Sequence, residues 1–219
     1  MGVAEAIAVG ESPSRRERKK QELQNRILET AQELFEQKGV SATTVAEICL
    51  GADVATKTFF NHFSTKQQLV ERLAHASLEI FLNDLASLRT ETTDLQDWLL
   101  RFFAQVADTV THAGPMHREL VNEIVHAISS DSGETQQALQ LREAFLNVVR
   151  DGVARGEVST LHDVETQSEL IIGAFYSLMF SWTHLEDYPI RERARALALL
   201  LGDALRNPTT NKETLNGTT

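Results

Sequence analysis

The sequence predicts an all-α protein of nine helices, arranged as a three-helix unit near the N-terminus and a larger helical domain behind it. Three observations carry this. Apolar residues recur at three- and four-residue spacing along most of the chain, with almost no strand-like alternation. Helix-start signals of the Thr-x-x-Glu and Thr-x-x-Gln kind precede several of these stretches. Gly and Pro mark several of the breaks between them, at Gly39, Gly51, Gly114-Pro115, Gly156 and Pro189. A length of 219 residues with 42% hydrophobic and 24% charged residues suits one large or two modest globular domains.

Taken in order, residues 1–20 read as a flexible basic arm ending in Arg15-Arg16-Glu17-Arg18-Lys19-Lys20, ahead of Leu23, the first core residue. The domain 21–65 opens with a long amphipathic helix through Phe35 to Lys38-Gly39. Thr44 and Glu47 form a capping box that starts a short helix, with Val45, Ile48 and Cys49 facing inward. Gly51-Ala52-Asp53 makes a tight turn, since Gly and Asp both tolerate positive φ. Val54 plugs the core, and a second short helix runs from about Ala55 to Asn61. Phe59, Phe60 and Phe63 supply its apolar side, and Thr56, Lys57, Thr58, Asn61 and His62 its polar side. A short polar helix on a small apolar platform is a shape that enters a DNA major groove.

Charge agrees once it is divided along the chain. The formal net charge is −10, but residues 13–75 hold ten Lys and Arg against eight Asp and Glu. Residues 76–219 hold eleven against twenty-one. An acidic body does not lie along DNA, so only the N-terminal end should approach it.

The domain 66–206 continues with a connector helix from about Lys66 to Arg89 and a loop at 90–93. Thr93 and Gln96 form a capping box for a helix reaching about Ala113. Pro115 opens the next, which carries Met116, Leu120, Ile124, Val125 and Ile128. A loop at 129–133 precedes a helix ended by Gly156. Val164–Leu185 and Ile190–Leu205 are the last two helices, and residues 207–219 read as a disordered tail.

Over residues 23–73 the chain resembles the tetracycline-repressor (TetR) family of transcriptional regulators. The resemblance rests on Arg26-Ile-Leu-Glu-Thr-Ala-Gln-Glu-Leu-Phe35 before Lys38-Gly39, on Thr43-Thr44-Val45-Ala-Glu-Ile48, on Thr58-Phe59-Phe60-Asn61-His62-Phe63 and on Lys66-Gln-Gln-Leu69. It departs at Asp53, where members usually carry Gly, and at Phe60, where they often carry a Tyr whose hydroxyl contacts a phosphate. The resemblance implies a homodimer on a palindromic double-stranded DNA operator, acting as a repressor released by a small molecule. Lys57 and Thr58 are expected at bases or flanking phosphates, Asn61 and His62 near the backbone, and Thr44 and Lys66 on phosphates, with Thr56 on the same surface. Arg15, Arg16 and Arg18 are expected to track the adjacent groove or phosphates.

Leu170–Trp182 and Ala194–Leu205 are apolar on nearly every side and must be covered all round. Small residues Gly173, Ala174, Ser177, Ala198 and Gly202 suit close helix approach, so this pair is expected to form the dimer interface. Phe102, Phe103, Met116, Phe145, Phe175, Tyr176, Met179 and Trp182 are the candidate lining of a cavity for an apolar or amphipathic effector. His112, His117, Glu119 and Asn122 are polar candidates for orienting it. A strongly anionic ligand is disfavoured unless Arg118 or Arg142 turns inward.

No catalytic, metal or cofactor site is expected. Glu123-Ile-Val-His126 is a single Glu-x-x-His, whereas a di-iron bundle needs two such motifs and two further carboxylates. His-Glu-x-x-His, a cysteine cluster and Gly-rich phosphate loops do not occur in the sequence. A ligand-independent DNA-architectural protein is the alternative function, and a helical-bundle enzyme a remote one. Cys49 reads as a structural thiol. No apolar run nears the ~20 residues of a membrane span, and a cytoplasmic location is expected.

Overall fold

A computed structural model describes residues 14–92, 94–112, 114, 116–122 and 136–208, with backbone only for 136–138. Within these residues there are nine helices and no strand beyond one isolated bridge. They are α1 (Arg15–Lys38), α2 (Val45–Gly51), α3 (Thr56–His62), α4 (Gln67–Glu91), α5 (Leu95–Thr111), α6 (residues 116–122), α7 (Gln136–Ala154), α8 (Val164–His184) and α9 (Ile190–Leu205).

Two hydrophobic cores organise the chain. The first gathers Ile27, Ala31 and Phe35 of α1, Ile48 and Cys49 of α2, Phe59 of α3, and Leu69, Val70, Leu73 and Ala74 from the start of α4. Met116 and Leu120 of α6 also belong to it. The second gathers Leu85 and Leu88 of α4, the inner face of α5, and the inner faces of α7, α8 and α9. The N-terminal domain is therefore not closed at residue 65: the first turns of α4 and a face of α6 complete its core.

The basic arm is corrected over its last residues. Arg15–Lys20 are the opening turns of α1, not a flexible segment. The cause is a capping box that the sequence reading did not identify: Glu17 N–H donates to Ser14 Oγ at 3.2 Å, and Ser14 N–H donates to Glu17 Oε2 at 2.8 Å. Residues 1–13 lie outside the described residues.

In the tight turn, Asp53 carries the positive φ, at 50°. Gly51 does not; it ends α2, where an added Cβ would lie 2.7 Å from Thr30 Cγ2 of α1. Gly51 thus serves close helix approach instead of turn geometry. The start of α5 is also reassigned. Asp94 caps it, accepting from Asp97 N–H at 2.7 Å, and Thr93 lies outside the described residues. So do Pro115, Ile124, Val125, Ile128, the Glu123–His126 motif and the loop 129–133.

Gly156, at φ 76°, ends α7 as expected. The chain then pairs with the end of α9: Ser159 N–H donates to Leu205 O at 2.8 Å, and Asn207 N–H to Glu157 O at 2.7 Å. The expected tail therefore begins after Asn207, and residues 209–219 lie outside the described residues. Arg89 clamps Asp151 with two bonds of 2.6 and 3.0 Å, tying the far end of α4 to α7. Helix α9 packs most extensively on α5. Ala198 and Gly202 face that contact: Gln96 Nε2 donates to Ala198 O at 3.3 Å, and a Cβ on Gly202 would overlap Gln96. These two small residues serve packing within the chain, not an approach between subunits. Gly173 and Ser177 of α8 do remain exposed.

Candidate DNA-binding surface and ligand cavity

Helix α3 presents Thr56, Lys57, Phe60 and Asn61 to solvent on one face, with Thr58 and His62 half-buried beside them. Phe59 and Phe63 anchor the opposite face, their rings 5.9 Å apart. Phe60 does not join them. It is 51% exposed and meets Phe59 edge-on at 5.3 Å, so it stands on the polar face and not on the apolar one expected. The reason is helical spacing: Phe60 follows Lys57 by three residues and Thr56 by four.

Two expected phosphate ligands have other partners. Lys66 Nζ donates to Val40 O at 2.6 Å and Thr43 O at 2.7 Å, so two of its three protons close the loop between α1 and α2. Thr43 supports the same loop, its buried hydroxyl donating to Gly39 O at 2.8 Å. The Thr44 hydroxyl accepts from Glu47 N–H at 3.3 Å and donates to Glu47 Oε2 at 2.8 Å, which is the expected cap. Both side chains shape the platform beneath α3. Arg15, Arg16 and Arg18 are exposed on the first turns of α1.

Glu47 is the hub of this platform. Lys38 Nζ donates to it at 2.6 Å, and the Thr44 N–H at 2.8 Å. These bonds, the lysine's first, hold its carboxyl down at about 2. Because the folded value lies below the ordinary 4.5, the stability it contributes is full above about 4.5 and is lost as pH falls through about 2. A carbon-13 NMR titration of the Glu47 carboxyl should give a midpoint near 2. A midpoint at the ordinary value would show that the Lys38–Glu47–Thr44 link does not form in solution.

In the second domain a cavity of about 290 Å³ opens among α4, α5, α6, α7 and α8. Of the expected lining, Phe102, Phe175, Tyr176 and Met179 are there. Phe103 and Phe145 are fully buried in the core and do not line it. Met116 packs in the first core. Trp182 is covered by Arg118, whose guanidinium carbon lies 4.9 Å from the ring centroid while Nη1 donates to Trp182 O at 2.9 Å. These four corrections share one cause: helical spacing marks residues as inward, and close packing fills most inward positions.

The sequence reading missed the contribution of α4. Leu78, Phe81, Leu85 and Leu88 form one wall. Their three- and four-residue spacing was legible, but a connector helix was not expected to line a site. Phe81 stacks on Phe175 at 5.5 Å and tilts against Phe102 at 6.1 Å. Asp84, Gln105 and Thr109 add polar groups, with Gln105 Nε2 3.3 Å from Asp84 Oδ2. Of the polar candidates, His117 lines the cavity, its Nδ1 buried without a hydrogen-bond partner; His112 does not, and its Nδ1 lies 2.9 Å from Asp108 O. Glu119 and Asn122 do not line it either. Burial raises the Tyr176 phenol above its ordinary value.

A helix-turn-helix unit sharing its core with a second, cavity-bearing helical domain defines a DNA-binding regulator. Residues 27–73 match the family described as bacterial regulatory proteins, tetR family. The chain is 28% identical over 182 residues to the probable HTH-type transcriptional regulator ArpR of Pseudomonas putida, covering 76% of this chain and 83% of that protein. It is 23% identical over 142 residues to the HTH-type transcriptional repressor KstR2 of Mycolicibacterium smegmatis, covering 64% and 69%. The fold matches that of FadR from Bacillus subtilis in complex with stearoyl-CoA, at a TM-score of 0.63 and 15% identity, over 84% of this chain and 100% of that one. The helix-turn-helix of residues 27–73 is thus of the tetR-family type, and the curated proteins that the chain resembles are named as transcriptional regulators and repressors. Regulators of this family bind DNA and small-molecule ligands and form dimers. Among the described residues no helix is long and apolar enough to cross a membrane.

Proposed function

We propose that this chain is a cytoplasmic repressor that grips a palindromic operator as a homodimer and lets go when a small molecule fills the cavity. The observation that carries this reading is the sharing of residues between cavity and DNA-binding domain. Leu120 of α6 lines the cavity and also packs in the first core. Helix α4 lines the cavity with Leu78, Leu85 and Leu88 and enters the first core with Leu69, Val70, Leu73 and Ala74. A ligand that favours one placement of α4 and α6 therefore biases the placement of α3. That KstR2 is named a repressor and that FadR holds stearoyl-CoA supports the same direction. A ligand-independent architectural protein would have no use for an open cavity there.

On the DNA side, the two α3 helices of a dimer enter successive major grooves roughly 34–36 Å apart. Lys57 and Thr58 face bases or their flanking phosphates, Thr56, Asn61 and His62 flank them, and the arginines at the start of α1 meet backbone phosphates. Lys57→Ala should weaken binding to an operator selected from random duplexes by ~1–3 kcal/mol. Unchanged affinity in a gel-shift titration would remove Lys57 from the interface.

For the dimer, α8 and α9 leave large apolar side chains in solvent: Leu170, Phe180 at 58% exposure, Leu199, and Leu200 at 64%. With Gly173 and Ser177 between Leu170 and Phe180, this face pairs with its own copy in a four-helix contact. Leu200→Glu should shift the protein from dimer to monomer in sedimentation velocity and abolish tight operator binding. A variant that sediments as a dimer would place the interface elsewhere.

A further inference from the structure

The cavity has a charge preference. Asp84 is the one Asp, Glu, Lys or Arg among its described lining residues. Its carboxylate accepts a hydrogen bond from the neutral amide of Gln105, at 3.3 Å, and no salt bridge to it occurs among the described residues. The two arginines that might have reversed the sign do not line the cavity. Arg118 is spent on the Trp182 ring and on the carbonyls of Trp182 and Thr183. Arg142 is felt electrostatically by the Tyr176 phenol but forms no part of the wall. Beside Asp84 on α4, Phe81 forms with Phe102 and Phe175 a cluster of three rings, with Phe102 and Phe175 5.7 Å apart.

We propose that the effector is an organic cation with an apolar body, its positive group held by Asp84 and its body lodged among Phe81, Phe102 and Phe175. The inference rests on reading the cavity as the effector site. Asp84 is exposed at the mouth of the cavity, where the apolar wall on one side lowers the effective dielectric below that of bulk water and strengthens its pull on a cation. Ring faces add a second attraction for positive charge. The domain's acidic surplus, twenty-one Asp and Glu against eleven Lys and Arg over residues 76–219, concentrates cations around it and repels anions. An anion would set like charge against Asp84, with no Lys or Arg among the described lining residues to offset it.

The test uses three probes with one body and three charges: (2-naphthylmethyl)trimethylammonium, 2-naphthalenemethanol and 2-naphthylacetate. Each is titrated calorimetrically into the full-length protein. The cation should bind about tenfold more tightly than the alcohol, and the carboxylate most weakly. In Asp84→Asn the cation's advantage should fall to within about twofold, with alcohol affinity kept. Glu186→Gln, an exposed carboxylate outside the cavity, should leave the ratio unchanged. Carboxylate binding as tight as the cation's overturns the proposal, as does a cation advantage that survives Asp84→Asn. If none of the three binds, the cavity is not an effector site, and the reading beneath the proposal fails with it.

Discussion

Helix α4 belongs to two hydrophobic cores at once, and the proposed release of DNA depends on that sharing. Its first turns, Leu69 to Ala74, complete the core on which α3 sits. Its later turns, Leu85 and Leu88, are part of the core of the second domain. A helix of 25 residues spans roughly 37 Å at the usual rise. Because protein interiors are close-packed, a shift of such a rod at one end is felt at the other and not absorbed between them. The Arg89–Asp151 pair ties the far end of α4 to α7. Helix α6 supplies a second link, with Leu120 in the first core and in the cavity wall and Arg118 on the end of α8.

The platform under α3 is held by polar bonds as much as by packing. α2 and α3 are seven residues each, too short to be stable alone. Lys66 closes the loop 40–43 from beyond α3, and the Lys38–Glu47–Thr44 link fixes the start of α2 against the end of α1. Of these residues, Thr44 and Lys66 are the two that the sequence suggested as ligands for DNA phosphate, because their types suit that role. Their geometry shows that they hold the helices which present the DNA-facing side chains.

The fold was legible because its signals are local. Capping at Thr44, the Gly at 156 and the Pro-marked break before α9 placed those helix ends within a residue or two. Resemblance over residues 23–73 supplied the three-helix unit. What could not be read was tertiary choice. Met116 and Phe103 carry the same inward signal as Phe102 and Met179, yet one lies in the other core and one is packed solid. Ala198 and Gly202 look like an interface stripe but fit against Gln96 within the chain. The run of five basic residues at 15–20 read as an arm, although Ser14 and Glu17 form a capping box at its start. Asp84 was one acid among many until the fold set it in the lining of the same cavity as three aromatic rings.

Transmission through α4 and α6 is tested most directly by the distance between the two α3 helices of the dimer. Spin labels at exposed Ser64, directly after α3 and outside the proposed DNA contacts, in a Cys49→Ala background, report that distance by pulsed electron paramagnetic resonance. Bound to operator, the distribution should be narrow and fixed by the groove repeat. With the cavity saturated by whichever naphthyl probe binds most tightly, and without DNA, it should move to a different mean. An unaltered distribution at full occupancy would contradict the coupling on which the whole reading depends.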